Sequence, residues 1–329
     1  ALRLLKSHYY GAKLVFLVVP RVCDLAKSSG LFDEVFALDI FDAAARHFVL
    51  AKIEKAFVAA SVLRARKFDM AINMRTIVSW PSAWKMHLLF RLIGATTWVG
   101  RDTDRKGYFF HVKVPETLRS DKHEMLHDLE LIAALGVDIR RPVLLWDVDP
   151  AAMRHVEQDL SSEGIRPFDP IIGIHVGGAP SRRWPIASVL RVTKELRQTY
   201  GCRVVLIGGS TDKDVLRGAS DMTALDVVDR IERYSLAELI AFISRCRLFI
   251  GNDSGPMHIA AVLKVPLVAI FGGGDLGRYD PRKISDKAQV LYEQVSCAPC
   301  DRFACRSMRC LSSITPKDVM NAVNRVMQR

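Results

Sequence analysis

The chain has 329 residues, half of them apolar, and its 47 Lys and Arg against 36 Asp and Glu give a net charge of +11. That length predicts two domains of about 150 residues each. No apolar run approaches the roughly 20 residues that span a bilayer, and the charged first residues are too short for a signal peptide. The composition therefore predicts a cytoplasmic protein without a membrane span.

The positive charge is concentrated in the amino half. Residues 46–113 hold 13 Lys or Arg and four Asp or Glu, an excess of nine positive charges. A basic face attracts nucleic acid, anionic lipid head groups or acidic sugars, and a solvated helix face is the alternative. No helix-turn-helix, zinc-finger or aromatic RNA-binding signature accompanies the charge, so we expect no nucleic-acid partner.

Helices and strands alternate through the amino half. The predicted helices lie near 2–10, 22–28, 42–66, 82–93 and 121–135, and the strands near 13–19, 35–38, 68–73 and 96–99, followed by a short segment at 108–114. The loop and helix after the strand 68–73 carry Arg75, Trp80, Trp84 and Lys85, at a position where α/β sheets bind ligands. Charge and ring stacking there would hold an acidic sugar acceptor, with ordinary packing as the alternative.

Two histidines, His123 and His127, lie four residues apart on the predicted helix 121–135. Such a pair binds metal only together with further ligands, and no third ligand is evident nearby. We therefore expect both side chains on a solvated helix face.

The carboxyl half shows the same alternation. Predicted strands lie near 171–175, 202–207, 227–228, 248–250, 265–271 and 289–292, and predicted helices near 185–200, 236–246, 256–263 and 316–328. Residues 140–168 are proline-rich and connect the halves, with domains expected over 1–149 and 150–329. The fold class predicted from this alternation is α/β, with two doubly wound Rossmann-like domains facing across a cleft.

One strand-turn-helix unit in the carboxyl half predicts a phosphate site. The strand near 248–250 ends in a polar turn with Asp253 and Ser254, either of which can cap the helix that follows. Gly255 and His258 add to the same helix mouth. Backbone N–H groups and the positive end of the helix dipole there suit a phosphate, whereas a well-capped crossover helix is the alternative.

Two other strand ends carry related loops. Gly177 and Gly178 follow the strand 171–175 and let the backbone approach a ligand closely, unless they only form a tight turn. Arg182, in the same loop, offers a charged fork suited to phosphate. Asp214 lies in the loop 208–214. All three loops leave carboxyl ends of strands, so we expect them at one edge of the sheet.

These motifs resemble glycosyltransferase family 9, the ADP-heptose:lipopolysaccharide heptosyltransferases. The resemblance rests on Asp-Ser-Gly-Pro-Met-His-Ile-Ala-Ala before Val-Pro-Leu-Val-Ala-Ile-Phe-Gly, and on the loops 175–183 and 208–214. It implies the GT-B architecture, with Arg182 in the place of a lysine on the donor phosphates. It also implies Asp214, in preference to Asp212, on the donor ribose, and Tyr234 near the donor base.

The resemblance implies inverting transfer of a heptose from ADP-heptose to the lipopolysaccharide inner core. The acceptor would be an anionic glycolipid at the inner membrane surface, where a peripheral contact of the protein is an open possibility. No cofactor is implied, although Mg²⁺ would be compatible. Family members carry a Gly-Asp loop with the catalytic base before the first helix, and the sequence, which opens at that helix, has no counterpart.

Three alternatives stay open at this point. One is a family 9 transferase that uses another nucleotide-sugar. The second is a nucleotide-sugar epimerase on the same two-domain plan, and the third is a non-catalytic protein that binds nucleotides or glycans. Turnover without an acceptor would favour the epimerase.

Four of the seven cysteines form one carboxyl-terminal cluster of pattern C-x2-C-x4-C-x4-C. They are Cys297, Cys300, Cys305 and Cys310. A structural zinc site is one interpretation, but the second half of the cluster lacks the paired spacing of zinc ribbons. The three other cysteines stand singly in apolar contexts, which predicts core positions. They are Cys23, Cys202 and Cys246.

Overall fold

The computed structural model describes residues 1–38, 58–140, 146–216, 226–300 and 302–328. The chain divides into two compact units, 1–143 and 144–329. In the described residues, no helix combines the length and apolar character needed to cross a bilayer.

The first unit is built on short parallel strands. β1 (Val15–Val18) pairs with β2 (Glu34–Ala37), and β3, β4 and β5 form a second sheet in that order. This second sheet contains β3 (Met70–Asn73), β4 (Thr97–Thr103) and β5 (Val112–Glu116), and the labelled helices are α1 (Leu2–His8), α2 (Cys23–Ser28), α3 (Trp80–Ile93) and α4 (Glu124–Ala133). Residues 58–64 are helical, and the rest of the helix predicted over 42–66 lies outside the described residues.

β5 begins at Val112, after two aromatic side chains that interrupt the extended chain. Phe109 and Phe110 are buried in the core of this unit. Gly100 on β4 makes room for them, since a Cβ atom there would lie 2.3 Å from the ring of Phe110. The chain therefore turns at this point and becomes a strand only at Val112.

The predicted solvated positions of His123 and His127 are wrong. Both side chains are buried, with exposed fractions of 3% and 4%. His123 Nδ1 accepts a hydrogen bond from the N–H of Met125 and caps α4. His127 Nδ1 lies 3.9 Å from the buried carboxylate of Glu116. This helix face is buried because it packs against a cluster of charged groups around Arg101. Sequence spacing does not show that cluster.

The second unit is a six-stranded parallel sheet of order β11-β10-β9-β6-β7-β8. Its strands are β6 (Ile171–His175), β7 (Arg203–Gly208), β8 (Val228–Ile231), β9 (Leu248–Asn252), β10 (Leu267–Phe271) and β11 (Ala288–Tyr292). Its helices are α5 (Pro150–Ser162), α6 (Ile186–Tyr200), α7 (Lys213–Leu216), α8 (Leu236–Arg245), α9 (Gly255–Val262), α10 (Leu276–Tyr279), α11 (Arg309–Ser312) and α12 (Pro316–Met327).

The central strands of this sheet are covered on both faces. Every residue of β6, β9 and β10 is buried, and the apolar side chains divide between two clusters. Two helix starts use local capping signals, because Ser235 caps α8 and Thr315 caps α12 through side-chain hydrogen bonds. The predicted parallel α/β organisation is thus confirmed. The strand order, starting from β6, is the 3-2-1-4-5-6 order of Rossmann folds.

Cys202 and Cys246 are buried, as predicted, whereas Cys23 is only partly buried. Of the four clustered cysteines, Cys310 is buried and Cys297 is exposed. Among the described residues, no three His, Cys, Asp or Glu side chains are grouped so that they could hold a metal ion.

Candidate donor-binding site

The site lies where the strand order of the second sheet reverses. β6 pairs with β7 on one side and with β9 on the other, and all of these pairs are parallel. Their carboxyl ends therefore meet at one edge, and the chain continues from β6 to β7 and from β9 to β10, in opposite directions along the sheet. Ligands of open α/β sheets bind at such a switch point.

Asn252, the last residue of β9, joins the two loops. Its Nδ2 donates to the carbonyl oxygens of His175, at 3.3 Å, and Gly177, at 2.9 Å. Its Oδ1 accepts from the N–H of Trp184, at 3.1 Å. The side chain is 3% exposed, so these bonds form in a protected environment. The sequence reasoning missed this residue, although a polar side chain at the end of an apolar strand was the available signal.

His175, the last residue of β6, makes a second link between the same loops. Its Nδ1 lies 3.1 Å from Ser254 Oγ, and Ser254 Oγ lies 3.1 Å from the carbonyl oxygen of Asn252. A carbonyl can only accept, so the hydroxyl proton lies on that bond, and the Nδ1–H of His175 donates to Ser254. Burial lowers the pKa of His175 to about 4, which keeps the imidazole neutral at pH 7.

This arrangement corrects the predicted helix cap. Ser254 occupies the N-cap position of α9 with an extended backbone, but its side chain makes no capping hydrogen bond. The hydroxyl is engaged by His175 and Asn252 instead. Pro256 lies in the first turn, as the sequence predicted. The side chain of Ser254 therefore leaves the first-turn N–H groups of α9 to other partners. Gly255, at the start of this helix, is exposed.

Arg182 is held beside this helix end. It closes a 3-10 turn, Pro180–Arg182, in the loop after β6, and its Nη1 lies 3.1 Å from Asp253 Oδ2. The loop after β10 packs against the pair, because a Cβ atom on Gly274 would lie 1.9 Å from Asp253 Oδ2. A cationic fork and a helix N-terminus thus lie at the same edge of the sheet, an arrangement suited to a phosphate.

The loop after β7 joins the site through Asp212. This carboxylate is 3% exposed, accepts from the N–H of Gly209 at 2.7 Å and pairs with Arg183 at 2.6 Å. Arg183 also donates to the carbonyl oxygen of Gly178, at 2.8 Å. Gly177 is required for this packing, since a Cβ atom there would lie 2.0 Å from Asp212 Oδ2. The loop after β6 therefore contacts the loops after both β7 and β9.

The two aspartates of this loop differ in environment. Asp212 is part of the buried link to Arg183, whereas Asp214, on the four-residue helix α7, is exposed. Gly178 has φ +115, a conformation that favours glycine and turns the chain after β6. The structure thus separates a bracing carboxylate from an accessible one two residues later.

Tyr234 and His258 lie on other elements of the same unit. The hydroxyl of Tyr234 donates to Asp159 on α5 at 2.7 Å, and burial together with this bond raises the pKa of the phenol. The loop before it contacts the β7 loop, through the Glu232 N–H and the Gly208 carbonyl at 2.8 Å. His258, on α9, is half-buried, and its ring lies 6.0 Å from the ring of Tyr279.

The residues predicted to hold an acceptor lie in the first unit. Arg75 follows β3, and its N–H donates to Asn73 Oδ1, at 3.2 Å. Trp80 begins α3 with its ring 52% exposed, and Lys85, in the next turn, is exposed. All three lie at or beyond the carboxyl end of the parallel strand β3. Ligands of α/β sheets are commonly bound at this edge.

Comparison with known proteins agrees with these features. Residues 58–310 match the profile of "Glycosyltransferase family 9 (heptosyltransferase)". Lipopolysaccharide heptosyltransferase 3 of Escherichia coli is 26% identical over 282 residues, which cover 82% of this chain and 78% of that protein.

Two solved structures share the fold. The family 9 glycosyl transferase from Veillonella parvula aligns with TM-score 0.78 and 22% identity over 99% of this chain and 92% of its own. The ADP-heptose lipopolysaccharide heptosyltransferase II of E. coli aligns with TM-score 0.72 and 20% identity, over 99% and 93% of the two chains. The predicted α/β fold of the GT-B class is confirmed by this likeness.

Proposed function

This chain belongs to glycosyltransferase family 9, and we propose that it transfers a heptose from ADP-heptose to the inner core of lipopolysaccharide, with inversion at the anomeric carbon. The relative from E. coli that covers most of the chain is a lipopolysaccharide heptosyltransferase, which supports the sugar class and the acceptor class. The proposed site of the reaction is the cytoplasm, at the inner face of the inner membrane.

The observation that carries the proposal is the position of Arg182 beside the N-terminus of α9, at the switch point of the second unit. In the transfer, an acceptor hydroxyl forms a bond to the anomeric carbon while the bond to the diphosphate breaks, and ADP leaves with that electron pair. Negative charge grows on the leaving phosphate. A guanidinium and backbone N–H groups already in place stabilise that charge.

We assign the remaining residues of the second unit to donor binding. Backbone groups around Ser254 and Gly255 face the diphosphate, and Gly177 and Gly178 let the chain approach it closely. The residues that complete the proposed donor site orient Arg182 or contact the ribose and base. They are Asp253, His258, Asp214 and Tyr234. No metal is required by this scheme, since cationic and backbone donors neutralise the phosphates, although Mg²⁺ is compatible with it.

In the division expected from the sequence, residues 1–149 form the proposed acceptor domain and residues 150–329 the proposed donor domain. Arg75, Trp80 and Lys85 would hold the anionic glycan by charge and ring stacking. The attacking hydroxyl also gives its proton to a general base, a role that none of the residues assigned above takes.

The test is a donor panel. Protein is incubated with ADP-heptose, UDP-glucose or UDP-N-acetylglucosamine, each with and without heptose-deficient lipopolysaccharide, and nucleotide release is measured. We expect acceptor-dependent release of ADP from ADP-heptose. Release from another donor alone would overturn the donor assignment, and conversion of a donor without acceptor would favour an epimerase. Donor binding without release in any arm would favour a binding protein.

A further inference from the structure

Helix α3 of the first unit is apolar on its outer face as well as on its inner face. Its inner residues, which include Ala83, Leu89 and Phe90, are buried in the core. Its outer face carries a row at positions i, i+4 and i+8, formed by Trp80, Trp84 and Leu88, which are 52%, 67% and 53% exposed. A surface helix ordinarily presents polar residues on this side.

Two neighbouring side chains extend this row into a patch. Val78, just before the helix, is 58% exposed, and Tyr108 is 43% exposed with its ring 6.3 Å from that of Trp80. Tyr108 is fixed by a hydrogen bond between its hydroxyl and Nδ1 of His87, at 3.1 Å. We call Val78, Trp80, Trp84, Leu88 and Tyr108 the α3 patch. Trp80, Trp84 and Leu88 follow one another along one helix face, unlike isolated surface apolar residues that need no explanation.

The charged residues on α3 itself are of one sign. α3 contains Lys85 and Arg91 and no Asp or Glu, and both basic side chains are exposed. Arg105, in the turn before Tyr108, is also exposed. Tryptophan and tyrosine rings with leucine, bordered by Lys and Arg, are the composition of helices that lie in the interface of a membrane.

We propose that the α3 patch docks on the surface of an anionic phospholipid bilayer. Trp84 and Leu88 would enter the boundary between head groups and acyl chains, and Arg91 would contact lipid phosphates. The row is about 12 Å long at the rise of an α-helix, longer than a single sugar ring, and it presents few groups that could bond to hydroxyls. This docking rests on the proposed function in one respect: an acceptor in the membrane would be the reason for it.

The test uses vesicles alone, without donor or acceptor, so that its outcome is separate from that of the activity assay. Binding is measured by flotation with vesicles of equimolar phosphatidylglycerol and phosphatidylcholine, and with vesicles of phosphatidylcholine only. We expect binding to the anionic vesicles that weakens with added salt. The double substitution Trp84→Ser with Leu88→Ser should lower the partition coefficient by about tenfold or more, since two apolar side chains lose their burial.

A matched control removes an exposed aromatic ring elsewhere. Phe168, in the second unit, is 97% exposed, and Phe168→Ser should bind vesicles as the wild type does. Circular dichroism of each variant checks that the fold is retained. In a second readout, brominated lipid should quench the tryptophan fluorescence of the wild type more than that of Trp84→Phe.

Three outcomes would overturn the proposal. In the first, the wild type would not bind anionic vesicles at low ionic strength. In the second, the variant with Trp84→Ser and Leu88→Ser would bind these vesicles as the wild type does. In the third outcome, a wild-type dimer in vesicle-free solution would become monomeric in the serine variant, which would assign the patch to a second copy of this chain.

Discussion

The guanidinium of Arg182 lies 3.1 Å from the buried carboxylate of Asp253, measured from Nη1 to Oδ2. Asp253 directly precedes the N-cap of α9. This ion pair therefore connects the loop after β6 to the start of the helix that follows the neighbouring strand, β9. The carboxylate is 3% exposed and the guanidinium 25% exposed, so the arginine is oriented from its buried side. Such preorganisation contributes to transition-state stabilisation.

Replacement of Arg182 tests its proposed role on the leaving diphosphate. Arg182→Ala should lower kcat/KM for ADP-heptose about 10²-fold, because one preorganised donor to the growing charge is lost. Arg182→Lys should retain part of the activity, since it keeps the charge without the planar fork. Arg166→Ala is the control, because Arg166 is an exposed arginine of the same unit that pairs with Asp169. Unchanged kcat/KM for Arg182→Ala would contradict the role.

Asn252 should contribute mainly to stability. Asn252→Ala leaves the N–H of Trp184 and the carbonyl of Gly177 without their buried partner, and we expect a loss of about 2–3 kcal/mol in the free energy of unfolding. Urea denaturation of both proteins measures this difference. Asn321→Ala, on the exposed face of α12, should change it by less than about 0.5 kcal/mol. Equal effects of the two substitutions would show that Asn252 does not brace the loops.

The two aspartates after β7 should separate stability from donor binding. Asp212→Ala leaves Arg183 without its carboxylate and should lower the free energy of unfolding by about 2–3 kcal/mol. Asp214→Ala should leave stability within about 0.5 kcal/mol, because its side chain is exposed. It should instead raise KM for ADP-heptose about tenfold through the lost ribose contact. An unchanged KM would remove Asp214 from the proposed donor site.

The neutral state of His175 predicts a pH dependence of stability. The ordinary pKa of 6.5 applies to the unfolded chain, whereas burial lowers the pKa to about 4 in the folded chain. Between these values the unfolded chain binds a proton that the folded chain does not, so stability is lost as pH falls from 6.5 to 4. The slope reaches about 1.4 kcal/mol per pH unit.

Another group titrates in the same range with the opposite sign. Burial raises the pKa of Asp128, in the first unit, to about 6, so the folded chain gains stability there as pH falls. The measurement is therefore the difference between wild type and His175→Gln in urea denaturation from pH 7 to 4. We expect this difference to shrink on acidification. The same substitution at the exposed His8 is the control. A stability difference between wild type and His175→Gln that does not change with pH would refute the neutral state assigned to His175.

Local signals in the sequence were sufficient for most elements of the second unit. Apolar runs without alternation mark strands covered on both faces, and capping residues such as Ser235 and Thr315 mark helix starts through hydrogen bonds that span three residues. The loops after β6, β7 and β9 were predicted at one edge for a similar reason. Carboxyl ends of parallel strands point the same way whatever the strand order.

Only the tertiary structure decided which side chains meet. His175 and Ser254 are 79 residues apart in the chain, and they bond because β6 lies beside β9 in the sheet. That contact engages the hydroxyl that local rules assign to a helix cap. Burial of Asp212 likewise depends on packing against Gly177. Sequence periodicity reports which residues share one element, whereas hydrogen-bond partners and burial depend on neighbours that strand order brings together.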